Sequence, residues 1–355
     1  MVGTLRHETR RPDQHAYRHR PQHDRSRNAR PHHRRLRRDA DQLRNLMQAL
    51  IEVILPVFLV LGFGYLARWK LGFSDDAVQG LMKFAQNFAV PVLLFRALST
   101  LELGENFAWN LLASFYTGAI LGFFAGLFGA RYLFKRPWTD SVAIGFATLF
   151  SNSVLLGLPI MERAYGSDAL GPNYAIIAIH APVCYLIGVT AMEIVRTGGG
   201  GILAPVKGVA KSMARNPLVI GIALGIATNL SGLTLPGPAR DAVDLVARAA
   251  LPAALFGLGG VLVAYKPEGD MRVVAWIVLV SLVLHPAVTW VMGTLTGLSD
   301  AQFRSAVLTA SMAPGVNAFL FANMYGVSKR VNATGVLAAT ASSILTIWLW
   351  LHVLP

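Results

Sequence analysis

The sequence predicts an all-α polytopic membrane protein: ten transmembrane helices arranged as two inverted five-helix repeats with crossed broken helices in spans 4 and 9. Three observations carry this reading. Hydrophobic residues make up 54% of the chain and charged residues 14%, with mean hydropathy +0.48, richer in apolar and poorer in charged residues than an ordinary soluble domain. Ten apolar windows each approach the roughly 20 residues needed to cross about 30 Å of hydrocarbon. Two motifs from the first half return in the second at nearly the same offset.

In chain order the windows are 48–67, 77–98, 108–130, 139–164, 172–195, 216–233, 241–264, 273–296, 302–325 and 331–353. Upstream of them lies an Arg/His-rich segment, 1–46, holding 13 Arg against 5 acidic residues and 6 of the 9 His. It has no apolar core of a secretory signal, and its composition is that of a disordered extension. Basic runs do bind polyanions. Its place directly before Met47 and the first span points instead to a mis-assigned start, so no nucleic-acid partner is expected. The net charge of +13 is thereby largely accounted for outside the spans.

Lys and Arg in the connections set the expected orientation. Loops after spans 1, 3, 5, 7 and 9 hold 13 of them, from Arg68 and Lys70 to Lys329 and Arg330; the alternate loops hold four, Arg96, Arg163, Arg240 and Arg304. The positive-inside rule puts the first set in the cytoplasm and both termini outside a multi-pass inner-membrane protein. The longest connection, 196–215, contains Gly198 to Gly201 and reads as a cytoplasmic linker between a first repeat, 47–195, and a second, 216–355. No Lys-Ser/Thr follows those glycines, so they form no phosphate loop.

The duplication rests on Ala89 to Phe95, "AVPVLLF", returning as Ala250 to Phe256, "ALPAALF", and on Tyr165-Gly166 returning as Tyr325-Gly326. An odd number of spans per half makes the second half enter the membrane upside down. Inverted repeats of this kind typify secondary transporters, with sites at mid-depth where interrupted helices meet. Span 4 carries Ser151-Asn152-Ser153, Gly157 and Pro159; span 9 carries Ala313-Pro314-Gly315 and Asn317. Unwound backbone at that depth must be buried in protein or face a water-filled cavity, and half-helix N-termini aimed into such a cavity favour an anion. Asn152, Ser151, Ser153, Asn317 and Gly315 are therefore the expected substrate site, joined by Asn87, since Gln79, Lys83, Gln86 and Asn87 form a polar row on span 2. Pro159, Pro314, Pro91 and Pro252 are the expected helix breaks or kinks.

"NFAVPVLLF" in span 2, "SNSVLLGLPI" in span 4 and "APGVNAFLFANMYGV" in span 9 resemble the auxin efflux carrier family, including its bacterial malonate-type permease branch, over essentially Met47 to Pro355. The resemblance implies an inner-membrane permease with a scaffold half, a transport half and elevator-style alternating access for organic anions such as dicarboxylates. It also implies that Asn152 is the family's span-4 asparagine. Plant members place a proline before that asparagine and two in the span-9 break; here Ser151 precedes Asn152 and Pro314 stands alone, and the long plant loop is missing.

Neither cofactor nor metal is expected. Coupling to protons or sodium would use His180 or His285, the ionisable residues within spans 5 and 8; each could equally be a neutral packing residue. Asp244 and Arg248, four residues apart, are expected to pair along their helix. The lone Cys184, inside an apolar run, reads as a buried spectator. The substrate expected is a small organic anion, the surroundings a lipid bilayer, and a second copy in a homodimer an allowed partner. Competing readings are an intramembrane enzyme, against which no catalytic motif is found, and a receptor that binds substrate without moving it.

Overall fold

The computed structural model describes residues 48–198 and 203–355; the expected disordered extension, 1–46, and residues 199–202 of the expected linker lie outside the described residues. Runs of Leu, Val, Ala and Gly with few backbone competitors fold as helices: α1 Leu50–Lys70, α2 Asp75–Ser99, α3 Trp109–Phe128, α4 Trp138–Leu149, α5 Leu158–Tyr165, α6 Gly171–Thr197, α7 Leu203–Met213, α8 Pro217–Ser231, α9 Gly237–Leu262, α10 Met271–Leu295, α11 Asp300–Ala310, α12 Asn317–Tyr325 and α13 Lys329–Val353. Among the described residues seven helical runs are long and apolar enough to cross a membrane, or eight if the pair Lys207–Met213 and Pro217–Ser231, bent by 68°, counts as one. The chain is thus a multi-pass membrane protein, all but wholly helical among the described residues. The three windows outside the seven are 139–164 and 302–325, each split into two helices, and 216–233, the bent one.

Of the four prolines expected to break or kink helices, Pro314 lies in a non-helical stretch and the other three lie within helical ones. Pro91 and Pro159 each sit two residues past a π-helical segment, Ala85–Ala89 and Ser153–Gly157, as do Pro56 after Ala49–Ile54 and Pro286 after Val280–Leu284. A proline ring crowds the carbonyl four residues back and offers no N–H; a π turn inserts one residue and shifts that register, so the chain stays helical. Pro252 lies inside α9, which runs on through it.

Small residues let helices meet backbone to backbone, as in other membrane bundles. A side chain on Gly64 of α1 would strike the Phe256 carbonyl of α9, and one on Gly259 would strike the Leu61 carbonyl in return. Gly221 and Gly225 of α8 lie likewise against the carbonyls of Pro91 and Phe95 in α2. α1, α2, α8 and α9 therefore form one closely packed set, while α3 packs on α4 and α10 in another.

Ion pairs tie helix ends together: Arg68 with Asp75 at 2.5 Å and Arg136 with Asp270 at 3.0 Å. Asp244 pairs with Arg96 of α2 rather than with Arg248. The expected pair within one helix gives way because α2 packs beside α9 and presents a guanidinium to the same carboxylate.

Candidate functional site

Helix α4 stops at Leu149, and Phe150 takes an extended conformation with φ −92° and ψ 90°. Ser151 then faces Pro314 in an isolated antiparallel bridge. On either side of that pair, the Asn152 N–H donates to the Ala313 carbonyl at 2.8 Å and the Gly315 N–H donates to the Phe150 carbonyl at 3.0 Å. Each interruption frees backbone groups that cannot stay unpaired away from water, and the two satisfy one another. Pro314 fits because the central pair of such a bridge does not use its own N–H groups. The two breaks, with Ser151 and Pro314 lying 163 residues apart in the chain, are thus one structure.

Helical winding resumes on both strands of the crossing. Asn152 caps the Ser153–Gly157 segment: its Oδ1 accepts from the Leu155 N–H at 3.3 Å, and its carbonyl accepts from the N–H groups of Leu156 at 3.3 Å and Gly157 at 3.0 Å. At the start of α12, Asn317 Oδ1 accepts from the Tyr185 hydroxyl of α6 at 3.1 Å. Two helical segments therefore begin at the crossing with their positive dipole ends there.

A cavity of about 720 Å³ opens onto this point. The crossing and the start of α12 supply Ser151, Asn152, Ser153 and Asn317; α2 supplies Gln86 and Asn87; α6 supplies His180, Tyr185 and Glu193; and α7 and α8 supply Val209 and Asn216. Its walls mix apolar surface with neutral donors and acceptors and the Glu193 carboxylate, a suitable lining for a small polar solute. Ser151 Oγ is buried and makes no hydrogen bond among the described residues.

Five of the six residues expected to touch substrate line the cavity: Asn152, Ser151, Ser153, Asn317 and Asn87. Gly315 does not; its N–H is spent on the bond to Phe150. Of the two histidines, His180 lines the cavity, with its ring edge-on to Phe150 at 4.8 Å, whereas His285 sits behind Phe115. Phe115 stands between them, 5.6 Å from the His180 ring and 5.3 Å from that of His285. Cys184 is buried with its sulfur 3.7 Å from His180 Nδ1.

Tyr185 escaped the sequence reading, and Glu193 reads from the sequence as an ordinary solvated carboxylate near a span end. Ala181, Tyr185, Val189 and Glu193 recur every four residues and form one cavity-facing stripe of α6, which the spacing of its two polar members would have revealed. The expected linker also contains α7, whose residues Gly208, Val209 and Ser212 close one flank of the cavity. No group of three or more His, Cys, Asp or Glu able to hold a metal occurs among the described residues.

Residues 49–351 match the family model described as membrane transport protein. A protein of Rhizobium meliloti (strain 1021) whose name proposes malonate transport is 27% identical over 310 residues, covering 85% of this chain and 94% of that one. The uncharacterized transporter YfdV of Escherichia coli (strain K12) is 24% identical over 303 residues, covering 84% and 96%. Auxin efflux carrier component 5 of Arabidopsis thaliana is 21% identical over 325 residues, covering 81% and 92%.

Proposed function

The chain belongs to the membrane transport protein family, and on that premise we propose that it is a secondary carrier of small organic anions, dicarboxylates of malonate size first among them. Family membership makes it a membrane transporter and not an enzyme. The reading adds ten spans in two inverted repeats, both termini outside the inner membrane, and alternating access to a site at the crossing.

One observation carries this proposal: two helix breaks locked together by backbone hydrogen bonds at the end of a roomy cavity, each followed by a helical N-terminus. A carboxylate placed there meets the positive ends of two helix dipoles without a fixed cation in the membrane. The Asn152 amide spends its oxygen on the cap and the Asn317 amide spends its oxygen on Tyr185, so both keep NH₂ donors for an anion. The relative named for malonate supports the same class.

Lys211 and Arg215 border a smaller cavity that shares Gly208, Ser212 and Asn216 with the large one. They belong to the positively charged loops, so the large cavity opens toward the cytoplasm in this reading and its rim attracts anions. His180, at the cavity wall, is the residue through which a proton would couple.

Purified protein in proteoliposomes loaded with unlabelled malonate should accumulate external radiolabelled malonate by exchange. Asn152→Ala and Asn317→Ala should each abolish most of that exchange while remaining folded. A carrier that exchanges no member of a carboxylate panel, at any pH and with or without sodium, would overturn the proposal.

A further inference from the structure

Arg248 is a cation without an assignment. It lies eleven residues into α9, about 16 Å along the axis from the helix start at 1.5 Å per residue, in a helix whose length and hydropathy suit a membrane span. Its expected partner, Asp244, is taken by Arg96, and among the described residues the exposed Arg248 side chain makes no ion pair or hydrogen bond. A cation within a span is tolerated where it faces water or a counter-charge, and by default marks a functional site.

Arg248 lines a second, open cavity of about 360 Å³ bordered by α1, α2, α5 and α9. The other charged groups there are Arg96, Arg163 and Glu162. Arg96 is neutralised by Asp244. The Arg163 guanidinium donates to the Glu52 carbonyl at 2.6 and 3.0 Å, which leaves its charge uncompensated. The cavity therefore holds two cations free of a carboxylate, Arg248 and Arg163, against one acid.

Its position relative to the crossing is informative. On α2 the large cavity takes Gln86, Asn87 and Val90, and the second takes Leu93 and Arg96, nearer the helix C-terminus. Along span 4 the large cavity takes Phe150 to Leu155 and the second takes Pro159, Glu162 and Arg163. On both elements the order is the same, so the two cavities approach the crossing from opposite ends.

We infer that the second cavity is a carboxylate-binding vestibule on the far side of the crossing, with the Arg248 guanidinium as its anion-recognising group. A guanidinium offers a planar fork that matches a carboxylate with two parallel hydrogen bonds, and the cavity has room for a short dicarboxylate with its water. The inference rests on the carrier reading for its purpose, since a vestibule serves a route, but its ligand chemistry stands on Arg248 and the cavity alone.

The test uses full-length protein, phenylglyoxal as an arginine reagent and malonate as the probe, with modification of the Arg248 peptide followed by mass spectrometry. At malonate ten times its dissociation constant, modification of Arg248 should slow about tenfold; neutral malonamide should not slow it. The protection should persist in the Asn152→Ala, Asn317→Ala double variant. Equal rates with and without malonate, protection by malonamide, or protection that vanishes in the double variant would each overturn the vestibule. In exchange assays Arg248→Gln should raise KM for malonate supplied at the outer face with little change in kcat, and Arg248→Lys should restore part of it. An unchanged outer KM would likewise overturn it. Wild-type protein that protects Arg248 yet exchanges nothing would defeat the carrier reading and leave the vestibule standing.

Discussion

Replacing Asn152 separates its two jobs. Its Oδ1 caps the segment that resumes after the break, accepting from the Leu155 N–H at 3.3 Å, while its NH₂ group makes no hydrogen bond among the described residues. Asn152→Ala removes both the acceptor and the donor. Losing an N-cap acceptor costs about 1 kcal/mol, and the residue is only 6% exposed, so water compensates poorly. Asn152→Ser keeps a cap acceptor and removes only the amide donor, so its stability should stay within a few tenths of a kcal/mol of the parent. A hydrogen bond from that donor to a charged ligand is worth about 1.5–3 kcal/mol, which corresponds to a roughly 10- to 150-fold rise in KM for malonate. The assay is a pair of measurements on each variant: thermal unfolding in detergent and malonate exchange in proteoliposomes. Alanine should lose both stability and exchange, and serine exchange alone. Serine exchanging at the parental KM would refute the reasoning, because Asn152 would then be a cap and nothing more.

Tyr185→Phe removes the hydroxyl that orients the Asn317 amide at 3.1 Å; the fold should lose the net hydrogen bond of about 1 kcal/mol, and the released amide should raise KM for malonate, read by melting and exchange kinetics on the same variant. Gly259→Ala drives a methyl into the Leu61 carbonyl of α1 and should destabilise by about 1–3 kcal/mol, whereas Gly62→Ala, with nothing within 4 Å, should be silent in the same melting assay. Asp270 caps α10 by accepting from the Arg272 N–H at 3.0 Å, and that amide, helped by the Arg272 and Arg136 guanidinium groups, holds its carboxyl below the usual 3.8. Because the folded value is the lower one, the stabilisation is present above the unfolded value and is lost as pH falls through the folded one. Asp270→Ala should therefore melt earlier than the parent at neutral pH, with the gap closing well below pH 3.8.

The breaks were legible because Ser151-Asn152-Ser153 and Ala313-Pro314-Gly315 are poor helix formers set in apolar runs, a conflict visible locally. Their interlocking was not: the bond from Asn152 to Ala313 joins residues in different halves, and no local pattern says which distant carbonyl an unwound segment will find. Proline gave a similar half-signal. Pro91 and Pro159 announced trouble for a straight α-helix, but whether the chain breaks or absorbs one residue in a π turn depends on neighbouring helices, and here it absorbs it. Asp244 shows long-range competition overruling spacing, since Arg96, 148 residues away, takes the carboxylate that Arg248 was expected to hold. Tyr185 was readable in principle, since Ala181, Tyr185, Val189 and Glu193 form a stripe of every fourth residue on α6 that lines the cavity.

The hydrogen bonds at the crossing also constrain how a carrier built on it would move. Separating the two breaks would leave the N–H groups of Asn152 and Gly315 and the carbonyls of Ala313 and Phe150 buried without partners. At about 1–3 kcal/mol for each such group, that is on the order of 4 kcal/mol or more, comparable with the 5.5 kcal/mol or so that takes a two-state equilibrium from 1:99 to 99:1. Sliding the α2 wall past the crossing exchanges mainly apolar contacts and breaks none of these bonds. The crossing should therefore travel as a unit together with α4 and α12, which are already held together by Phe146 stacked on Phe321 at 4.0 Å. In a Cys184→Ala background, a cysteine pair tying α4 to α12 should leave malonate exchange intact when oxidised. The pair Val90→Cys and Val154→Cys, whose native residues line the large cavity from α2 and from the crossing, should stop exchange until it is reduced. Blockage by the first pair and free exchange with the second would mean that the two breaks part during transport, and the rigid crossing would have to be abandoned.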